Sequence, residues 1–446
     1  MVAYVTLHRQ RRHAPGAHSA QRGKARFRGR MTRPLPSLSA ILFIFLQAVQ
    51  TLSLPQVDSA AKDQLKVYVR SHYMTPERYV LSKFQDHDVV FLGEHHYFKH
   101  DPELVQRLIP LLYKNGIFTL AAEFARHEDQ ALIEHLLNAP TYDESLARQI
   151  TFNQDVFWGY QEYVDIFKAA WQLNHGLPKD ARKFRILGVN CSPDWSFIQK
   201  EQDRDDGRVM RKVWRGCDEG DWARVILGEV VAKREKALVY SGLHHAFTGY
   251  RQPVYNEATH SFVRFGDVRM GNHVYEAIGK RAVTICLHGV WFSSEGYSKP
   301  ETYAADGYID AAMGEIEPQF RRAGFDTRGT PFGDLPGEKS IYKYGYDKFR
   351  FVLPMLGDDV ARGLIPWWAR HDFKFTLGLF CDGYIYQKPL HEYEGVTPIK
   401  DFINEKNPAQ ARLQSPDPRF RNASVEDFYR EIVRPTDVRT RLIPFR

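Results

Sequence analysis

The chain has 446 residues, of which 43% are hydrophobic and 26% charged, enough for one large domain or two medium ones with a sizeable core. Its aromatic content of 13% excludes a mainly disordered protein, and a polytopic membrane protein is excluded because only one segment is long, apolar and uncharged. The net charge of +7 is concentrated at one end, since nine of the 61 Lys and Arg precede residue 34 and no acid does. The remainder carries 52 basic and 54 acidic residues, which gives no electrostatic support for nucleic-acid binding.

The N-terminal segment has the layout of an export signal. No charge occurs between residues 34 and 57, and residues 40–46 form a short apolar run after the basic start. This run is too short for a comfortable membrane span, so residues 1–60 are predicted to be a cleaved leader that directs the protein to the periplasm or outside the cell. Met31 is an alternative start, and an uncleaved leader that anchors the protein to a membrane is the alternative fate.

The four cysteines, Cys191, Cys217, Cys286 and Cys381, are far apart and form no Cys-x-x-Cys pair. Thiolate zinc sites and thioredoxin-like redox chemistry are therefore not expected. Export would permit one or two disulfides, but the spacing favours no pairing.

Beyond the leader, short apolar runs alternate with helical patterns. The predicted strands are 89–92, 118–122, 184–189, 237–240, 282–287 and 383–386, and the predicted helices are 102–115, 129–137, 156–173 and 221–236. This alternation predicts an α/β fold with a mostly parallel sheet flanked by helices on both faces. We expect one α/β domain over residues 61–446, with its core at about 86–290, an irregular insertion near 295–360 within a C-terminal extension from 291, and a polar tail.

Polar and titratable residues follow almost every predicted strand. In an open parallel sheet the carboxyl ends of the strands border the crevice where ligands bind, so these residues are expected at one edge. They are Glu94, His95 and His96 after the first strand, Glu123 and Arg126 after the second, Asn190 after the third, His244 and His245 after the fourth, and His288 after the fifth, while Asp382 precedes the last.

Two Gly-x-His-His sequences, at residues 93–96 and 242–245, each directly follow a strand. The glycine suits a tight exit from a buried strand, where a Cβ would clash. Two histidines and a glutamate from different strand ends can form an open site for manganese, iron, cobalt or zinc. A single histidine at a strand end is more often structural, and Glu123 with Arg126 could form a local salt bridge, so the prediction depends on the conjunction of Glu94, His96, Glu123, Arg126 and His245.

The ordered motifs Gly93-Glu94-His95-His96, Glu123-Phe124-Ala125-Arg126 and Gly242-Leu243-His244-His245 resemble those of one superfamily. It groups the ChaN-like haem-binding uptake proteins, the Tiki and TraB/PrgY proteins and the erythromycin esterases. The resemblance covers about residues 86–290 and implies an α/β fold with its site at the strand ends. It also implies that His96, Glu123 and His245 bind metal or catalyse, and that Arg126 is the arginine of the Glu-x-x-Arg motif.

The leading hypothesis is an exported hydrolase of ester, amide or peptide bonds. In it, His96, Glu123 and His245 hold a divalent metal, Glu94 is the general base, and Arg126 orients Glu123 or stabilises an oxyanion. A metal-free form would use His96 directly as the base. His95, His244, His288, Asn190 and Asp382 are additional candidates, and either member of each doubled histidine could face the site.

The alternative hypothesis is an exported haem or metal carrier without turnover. Haem is implied by the resemblance alone, since none of the 23 tyrosines is marked as its ligand. The expected partner is a small molecule or peptide, with neither nucleic acid nor a stable membrane span in the mature protein. The oligomeric state is not predicted.

Overall fold

The computed structural model describes residues 54–251, 253–256, 261–265, 269–293, 300–340, 342 and 375–445. Residues 1–53 of the predicted leader lie outside the described residues, as do residues 294–299, 341 and 343–360 of the expected insertion. Within the described part, Asp58 caps the first helix, which begins at Ser59, inside the segment predicted to be the leader.

Seven strands form one sheet in the order β3-β2-β4-β1-β7-β9-β8, and β5 and β6 form a separate antiparallel hairpin. The strands are β1 (Val89–Glu94), β2 (Thr119–Arg126), β3 (Arg185–Asn190), β4 (Ala237–Gly242), β5 (Pro253–Asn256), β6 (Ser261–Phe265), β7 (Ala282–Leu287), β8 (Ala323–Asp326) and β9 (Gly383–Tyr386). Every pairing within the large sheet is parallel except that of β8 with β9. The predicted mostly parallel α/β fold is therefore confirmed.

Helices cover both faces of this sheet. Those described are α1 (Ser59–Ser71), α2 (Pro76–Lys83), α3 (His100–Lys114), α4 (Gln130–Asn138), α5 (Glu144–Gln154), α6 (Gln161–Gly176), α7 (Gly207–Val213), α8 (Glu219–Ile226), α9 (Leu243–Ala246), α10 (Met270–Ile278), α11 (Tyr308–Glu315), α12 (Leu377–Phe380), α13 (Pro408–Gln414), α14 (Val425–Val433) and α15 (Val438–Arg441). Alternate β1 residues face opposite cores: Val89 and Phe91 pack with α1, α8, α10 and α11, and Val90 and Leu92 pack with α2 to α6. Burial on both faces explains the continuous apolar sequence of the central strands.

Three features differ from the sequence pattern. Residues 156–160 precede α6 rather than opening it, because the Asp155 carboxylate accepts the Phe157 N–H at 2.8 Å and Tyr160 bridges to Pro398. Within the expected insertion, residues 300–340 include α11 and β8. The C-terminal segment is not a polar tail, since Phe428 and Ile432 of α14 are buried in the core.

All four cysteines are paired. One disulfide joins Cys191, directly after β3, to Cys217, which precedes α8, and the other joins Cys286 of β7 to Cys381 before β9. The sequence spacing favoured neither pairing. Each disulfide has one cysteine near the carboxyl edge of the sheet, because Cys191 follows β3 and Cys286 is the last residue but one of β7.

Among the residues that the structure describes, none of the helices has the length and apolar character needed to cross a bilayer.

Candidate functional site

Three adjacent strands bring the principal candidate residues together. In the sheet β4 lies between β2 and β1. Glu123 lies in β2 just past its last residue paired with β4, His245 lies in the single-turn helix α9 after β4, and His96 follows β1. Glu123, His245 and His96 therefore lie near one another at the carboxyl edge of the sheet.

Glu94 holds His96 in a fixed orientation. The Nδ1 of His96 lies 2.6 Å from Oε1 of Glu94, and the same carboxylate accepts hydrogen bonds from the hydroxyls of Tyr163, at 2.5 Å, and Tyr240. Glu94 is buried, whereas the side chain of His96 is 31% exposed. Since Nδ1 is engaged, Nε2 is the ring nitrogen that can serve a ligand or reactant.

Glu219 holds His245 in the way that Glu94 holds His96. It is not among the residues predicted from the sequence. The Oε1 atom of Glu219, the first residue of α8, lies 2.8 Å from Nδ1 of His245. Glu219 also accepts hydrogen bonds from the Arg269 guanidinium at 2.9 Å and the Met270 N–H at 2.8 Å. Glu219 belongs to no motif that would mark it as a site residue. The sequence marks only the start of its helix, through the capping residue Asp218.

Glu123 contacts His245 and the backbone of Gly242. Its Oε1 atom is 3.3 Å from Nε2 of His245, and its Oε2 atom accepts the Gly242 N–H at 2.6 Å. The pairing of β2 with β3 shifts register between Ala122 and Arg126, an irregularity of the kind that redirects side chains near functional sites. Asn190 supports this backbone, because its side-chain amide donates to the Glu123 carbonyl at 3.0 Å.

Gly242 leaves room for this arrangement. A Cβ at residue 242 would lie 2.7 Å from Nε2 of His96 and 3.5 Å from Oε2 of Glu123. The φ of Gly242 is −54°, which other residues adopt readily. The glycine is thus required by the close approach of site side chains and not by an unusual turn.

Electrostatics favour the charged form of both histidines. Burial alone would lower the pKa of His96, but its hydrogen bond to Glu94 and the charges of Glu94 and Glu123 raise the pKa above the ordinary histidine value. Burial likewise opposes protonation of His245, and Glu219 and Glu123 raise the pKa of that ring. For Glu219, burial would raise the pKa, but His245, Arg269 and the Met270 N–H hold it well below the ordinary value.

Aromatic side chains surround His96. The ring of Trp158 meets His96 edge-on at 4.8 Å between centroids, and Tyr97 packs against both rings. Tyr97 adopts a φ of +78°, a left-handed conformation that is strained for a bulky residue and is found disproportionately at functional sites. Trp158 and Tyr97 therefore form an aromatic wall beside His96.

Arg126 has other contacts than the predicted ones. Its guanidinium forms two hydrogen bonds of 2.8 Å with the Asp129 carboxylate and one of 2.5 Å with the Ser192 hydroxyl. These contacts tie the end of β2 to α4 and to the loop after β3. Arg126 therefore forms a local salt bridge, as in the structural alternative, but its partner is Asp129 and not Glu123.

The other candidates lie outside this cluster. His95 turns toward Gly289, and burial lowers its pKa to about 3. His244 packs against Tyr342, and burial holds its pKa well below the ordinary value. His288 is buried between the Tyr384 hydroxyl at 2.9 Å and Asp310 at 3.1 Å. Asp382 accepts the Thr284 N–H at 2.9 Å and pairs with Arg328 at 2.9 Å.

The imidazole and carboxylate groups of His96, Glu123 and His245 are chemically suitable ligands for a divalent cation, but they are not arranged around a common metal position. No group of three or more His, Cys, Asp or Glu side chains within the described part of the chain is arranged to hold a metal ion. Both histidines nevertheless have Nδ1 fixed by a buried carboxylate, which is how metal-ligating histidines are usually oriented. The residue types are therefore those of a metal site, whereas the distances between their side chains are those of direct hydrogen bonds.

Residues 80–194 match the family described as haem-binding uptake, Tiki superfamily, ChaN. The predicted resemblance to that superfamily is thereby confirmed for this segment, which contains Glu94, His96, Glu123 and Arg126. No curated protein matches the chain.

The chain is also similar to solved structures at low identity. ChaN of Campylobacter jejuni, described for cofacial haem binding, is 14% identical with a TM-score of 0.32, and the match covers 47% of this chain and 84% of that one. A protein from Bacillus cereus is 13% identical with a TM-score of 0.40, covering 77% and 99%. A succinoglycan biosynthesis protein is 9% identical with a TM-score of 0.44, covering 76% and 99%.

Proposed function

We propose that this protein is an exported hydrolase of ester, amide or peptide bonds whose reacting centre consists of His96, Glu123 and His245. The observation that carries the proposal is a pair of carboxylate–histidine couples: Glu219–His245 contacts Glu123, and Glu94–His96 lies on the other side of Gly242 from the Glu123 carboxylate. Two histidines held in this way supply a base and an acid at one place, which is what hydrolysis of an acyl bond requires.

His96 is assigned as the general base. Its Nδ1 is held by Glu94, and its partly exposed ring lies at the aromatic mouth of the cluster. Neutral His96 would take a proton from water through Nε2 as the water attacks the carbonyl carbon. The carboxylate of Glu94 orients the ring and stabilises the imidazolium that forms. Because Glu94 is already engaged by His96, Tyr163 and Tyr240, it takes this positioning role and not that of the base predicted from the sequence.

His245 is assigned as the proton donor. Its ring lies between the carboxylates of Glu219 and Glu123, which favour the protonated form. A substrate that takes the place of Glu123 at Nε2, where the contact is 3.3 Å, would receive this proton, so a protonated His245 would stabilise the developing oxyanion or protonate the leaving group. The contrast between a partly exposed base and a buried acid follows the usual division of roles between titratable groups in different environments.

A metal-dependent form of the same hydrolase is the second candidate, and charge balance favours it. With neutral histidines, Arg269 is the cation that the described residues place against the Glu94, Glu123 and Glu219 carboxylates, because Arg126 is already paired with Asp129. A divalent cation held by His96, Glu123 and His245 would balance this excess of negative charge. The chemistry that such a cation supplies is acidification of water and polarisation of a carbonyl group.

Export is supported by the two disulfides, since structural disulfides persist in oxidising compartments. A haem carrier is the competing function, and the description of the matching family as haem-binding favours testing it directly. The experiment must therefore measure hydrolysis, metal and haem on the same preparation.

The test uses the full chain with a panel of esters, amides and peptides, element-resolved metal analysis and a haem absorbance titration. The informative variant is His96→Asn, whose amide can keep the hydrogen bond to Glu94 while the reactive Nε2 is lost. We expect kcat/KM to fall by about 10²-fold or more. His135→Asn, on the exposed face of α4, is the matched control and should retain full activity.

Three outcomes separate the functions. Hydrolysis that survives chelation supports His96 as the base in a metal-free centre. Hydrolysis that is lost on chelation and restored by one divalent metal, with metal content falling in Glu123→Ala, supports the metal-dependent form. Stoichiometric haem binding without hydrolysis of any panel member would overturn the proposal in favour of a carrier.

A further inference from the structure

The loop closed by the Cys191–Cys217 disulfide has a hydrophobic cluster of its own. Ile198, Met210 and Val213 are buried together, and Trp195 and Trp214 pack around them. The indole rings of the two tryptophans meet edge-on at 5.4 Å. This loop is therefore a folded element that holds its surface residues in place.

Large apolar side chains are exposed on this loop and on the helix beside it. Phe197 is 41% exposed and Leu413 of α13 is 72% exposed. The two segments are joined by Arg421, whose guanidinium donates to the Trp195 carbonyl and to the Leu413 carbonyl, both at 2.9 Å. The two segments that carry Phe197 and Leu413 are thus direct neighbours.

Positive charge accompanies these apolar groups. Residues 194–215 and 412–421 together contain nine basic and six acidic residues, although residues 34–446 as a whole have two more acids than bases. Several of the acids are used internally: Asp194, Asp203 and Asp206 accept backbone N–H groups of the loop, and Asp417 pairs with Arg419.

The basic side chains remain available at the surface. Lys200, Arg211 and Lys212 are exposed and form no ion pair with the described residues. The Nζ of Lys212 lies 5.7 Å from the ring centre of Phe197. An unpaired cation therefore lies beside the exposed ring of Phe197.

We propose that this surface, the basic-aromatic patch of Trp195, Phe197, Lys200, Lys212 and Leu413, docks onto an anionic lipid bilayer. Phe197 and Leu413 would enter the interface between headgroups and acyl chains, and the cations would contact lipid phosphates. Charge complementarity favours a lipid surface, since the patch combines protruding apolar groups with unpaired cations.

The position of the patch gives docking a consequence for the site. The loop begins directly after β3, and its Ser192 is hydrogen-bonded to Arg126 at the end of β2. The loop that carries most of the patch therefore starts at the same edge of the sheet as Glu123. Docking would bring this edge close to molecules carried by the membrane, whatever reaction occurs there.

The test mixes the full chain with vesicles of phosphatidylcholine alone or with phosphatidylglycerol added. Co-sedimentation measures binding, and hydrogen exchange of peptides covering residues 194–200 and 408–414 locates it. We expect binding to the anionic vesicles, weakening with salt, and slower exchange in both peptides. The double variant Phe197→Ser/Leu413→Ser should lose that protection and bind at least tenfold more weakly, and Leu132→Ser, which changes an exposed leucine of α4, should behave as wild type.

Hydrogen exchange of the two peptides is needed because the basic, apolar N-terminal segment could itself bind vesicles. Sedimentation without protection of the two peptides would assign binding to that segment and overturn the proposal. Equal binding to neutral and anionic vesicles would also overturn it. A dimer in solution that the double variant converts to monomers, without vesicle protection, would assign the patch to self-association instead.

Discussion

Gly242 decides how closely the reactive side chains approach one another. Its missing side chain leaves space for His96, and its N–H binds Glu123. A methyl group there would contact atoms that the proposed mechanism uses. Adding a single methyl group at residue 242 therefore tests whether activity depends on the exact positions of His96 and Glu123.

We expect Gly242→Ala to reduce hydrolysis by about tenfold or more, because displacement of a catalytic group by even 1 Å can cost up to about 10²-fold. Steady-state kinetics with the responsive substrate measures this. Gly228→Ala is the matched control, since a Cβ at residue 228 has nothing within 4 Å. Equal activity of Gly242→Ala and the control would contradict the assigned geometry.

Glu94 should set the pH range of the metal-free reaction. The pKa of His96 is raised by Glu94 and Glu123, so the neutral base accumulates only as pH rises above the ordinary histidine range. Activity should rise with pH through this pKa. In Glu94→Gln the pKa of His96 should fall, because the carboxylate charge that raises it is removed. The midpoint of the kcat/KM profile should then move to lower pH, and the maximum rate should fall because the ring is oriented less well.

The pH profile of kcat/KM measures the midpoint, and Glu134→Gln, which changes an exposed carboxylate of α4, should leave it unmoved. Tyr163 and Tyr240, which also contact Glu94, remain in both variants. A midpoint that stays in place or moves upward in Glu94→Gln would show that His96 is not the titrating base.

At the residue scale, the sequence identified the candidate site side chains better than the residues that hold them in place. Glu94, His96, Glu123 and His245 were identified because each follows a recognisable apolar strand. Glu219 was missed because it belongs to a helix start 26 residues from His245, where only the fold reveals the contact. Arg126 was given a role at Glu123 because sequence proximity could not show the competing carboxylate of Asp129.

At the element scale, α8 connects the candidate site to a disulfide. Cys217 stands two residues before Glu219, which holds His245, and the indole N–H of Trp222 points to Sγ of Cys191 at 3.1 Å. The Trp222 ring also packs on His245 at 4.9 Å. The disulfide therefore fixes the end of the helix that orients the proposed acid.

Removing this disulfide with Cys191→Ala/Cys217→Ala should lower the free energy of unfolding by about 3.5 kcal/mol, as expected for closure of a loop of this length. Urea unfolding measures the change. Under native conditions the variant should also lose activity through misalignment of Glu219. Full activity in the folded variant would show that α8 holds its position without the covalent link.

The strands of the parallel sheet were predicted well and the peripheral elements less well. Strands β1, β2, β3, β4, β7 and β9 are marked by apolar runs because they are buried on both faces. The edge strand β8 has only four residues, Ala323–Asp326, and two of its first three have small side chains. Its pairing with β9 is a tertiary contact that local patterning does not encode.

At the scale of the whole molecule, the Cys286–Cys381 disulfide joins segments 95 residues apart. Cys286 lies in β7, and Cys381 lies just before β9, its parallel neighbour. The crosslink thus fixes the two ends of a long connection beside the sheet. Its contribution is expected to come mainly from limiting the unfolded chain.

The variant Cys286→Ala/Cys381→Ala should lose about 4.7 kcal/mol of unfolding free energy, more than the other pair, because the closed loop is longer. Parallel urea titrations of the two variants measure the difference. The activity of the folded protein should fall less than in Cys191→Ala/Cys217→Ala, since Glu219 keeps its attachment. The reverse order in both measurements would contradict these assignments.

The strand order also governs when the protein can mature during synthesis. The central strand β1 is made early, but its two neighbours are β4, from Ala237, and β7, ending at Leu287. A growing polypeptide that stops before Ala237 leaves both hydrogen-bonding edges of β1 without these partners. The centre of the sheet therefore cannot be completed until Leu287 has been synthesised, whereas β2 and β3 can pair with each other earlier.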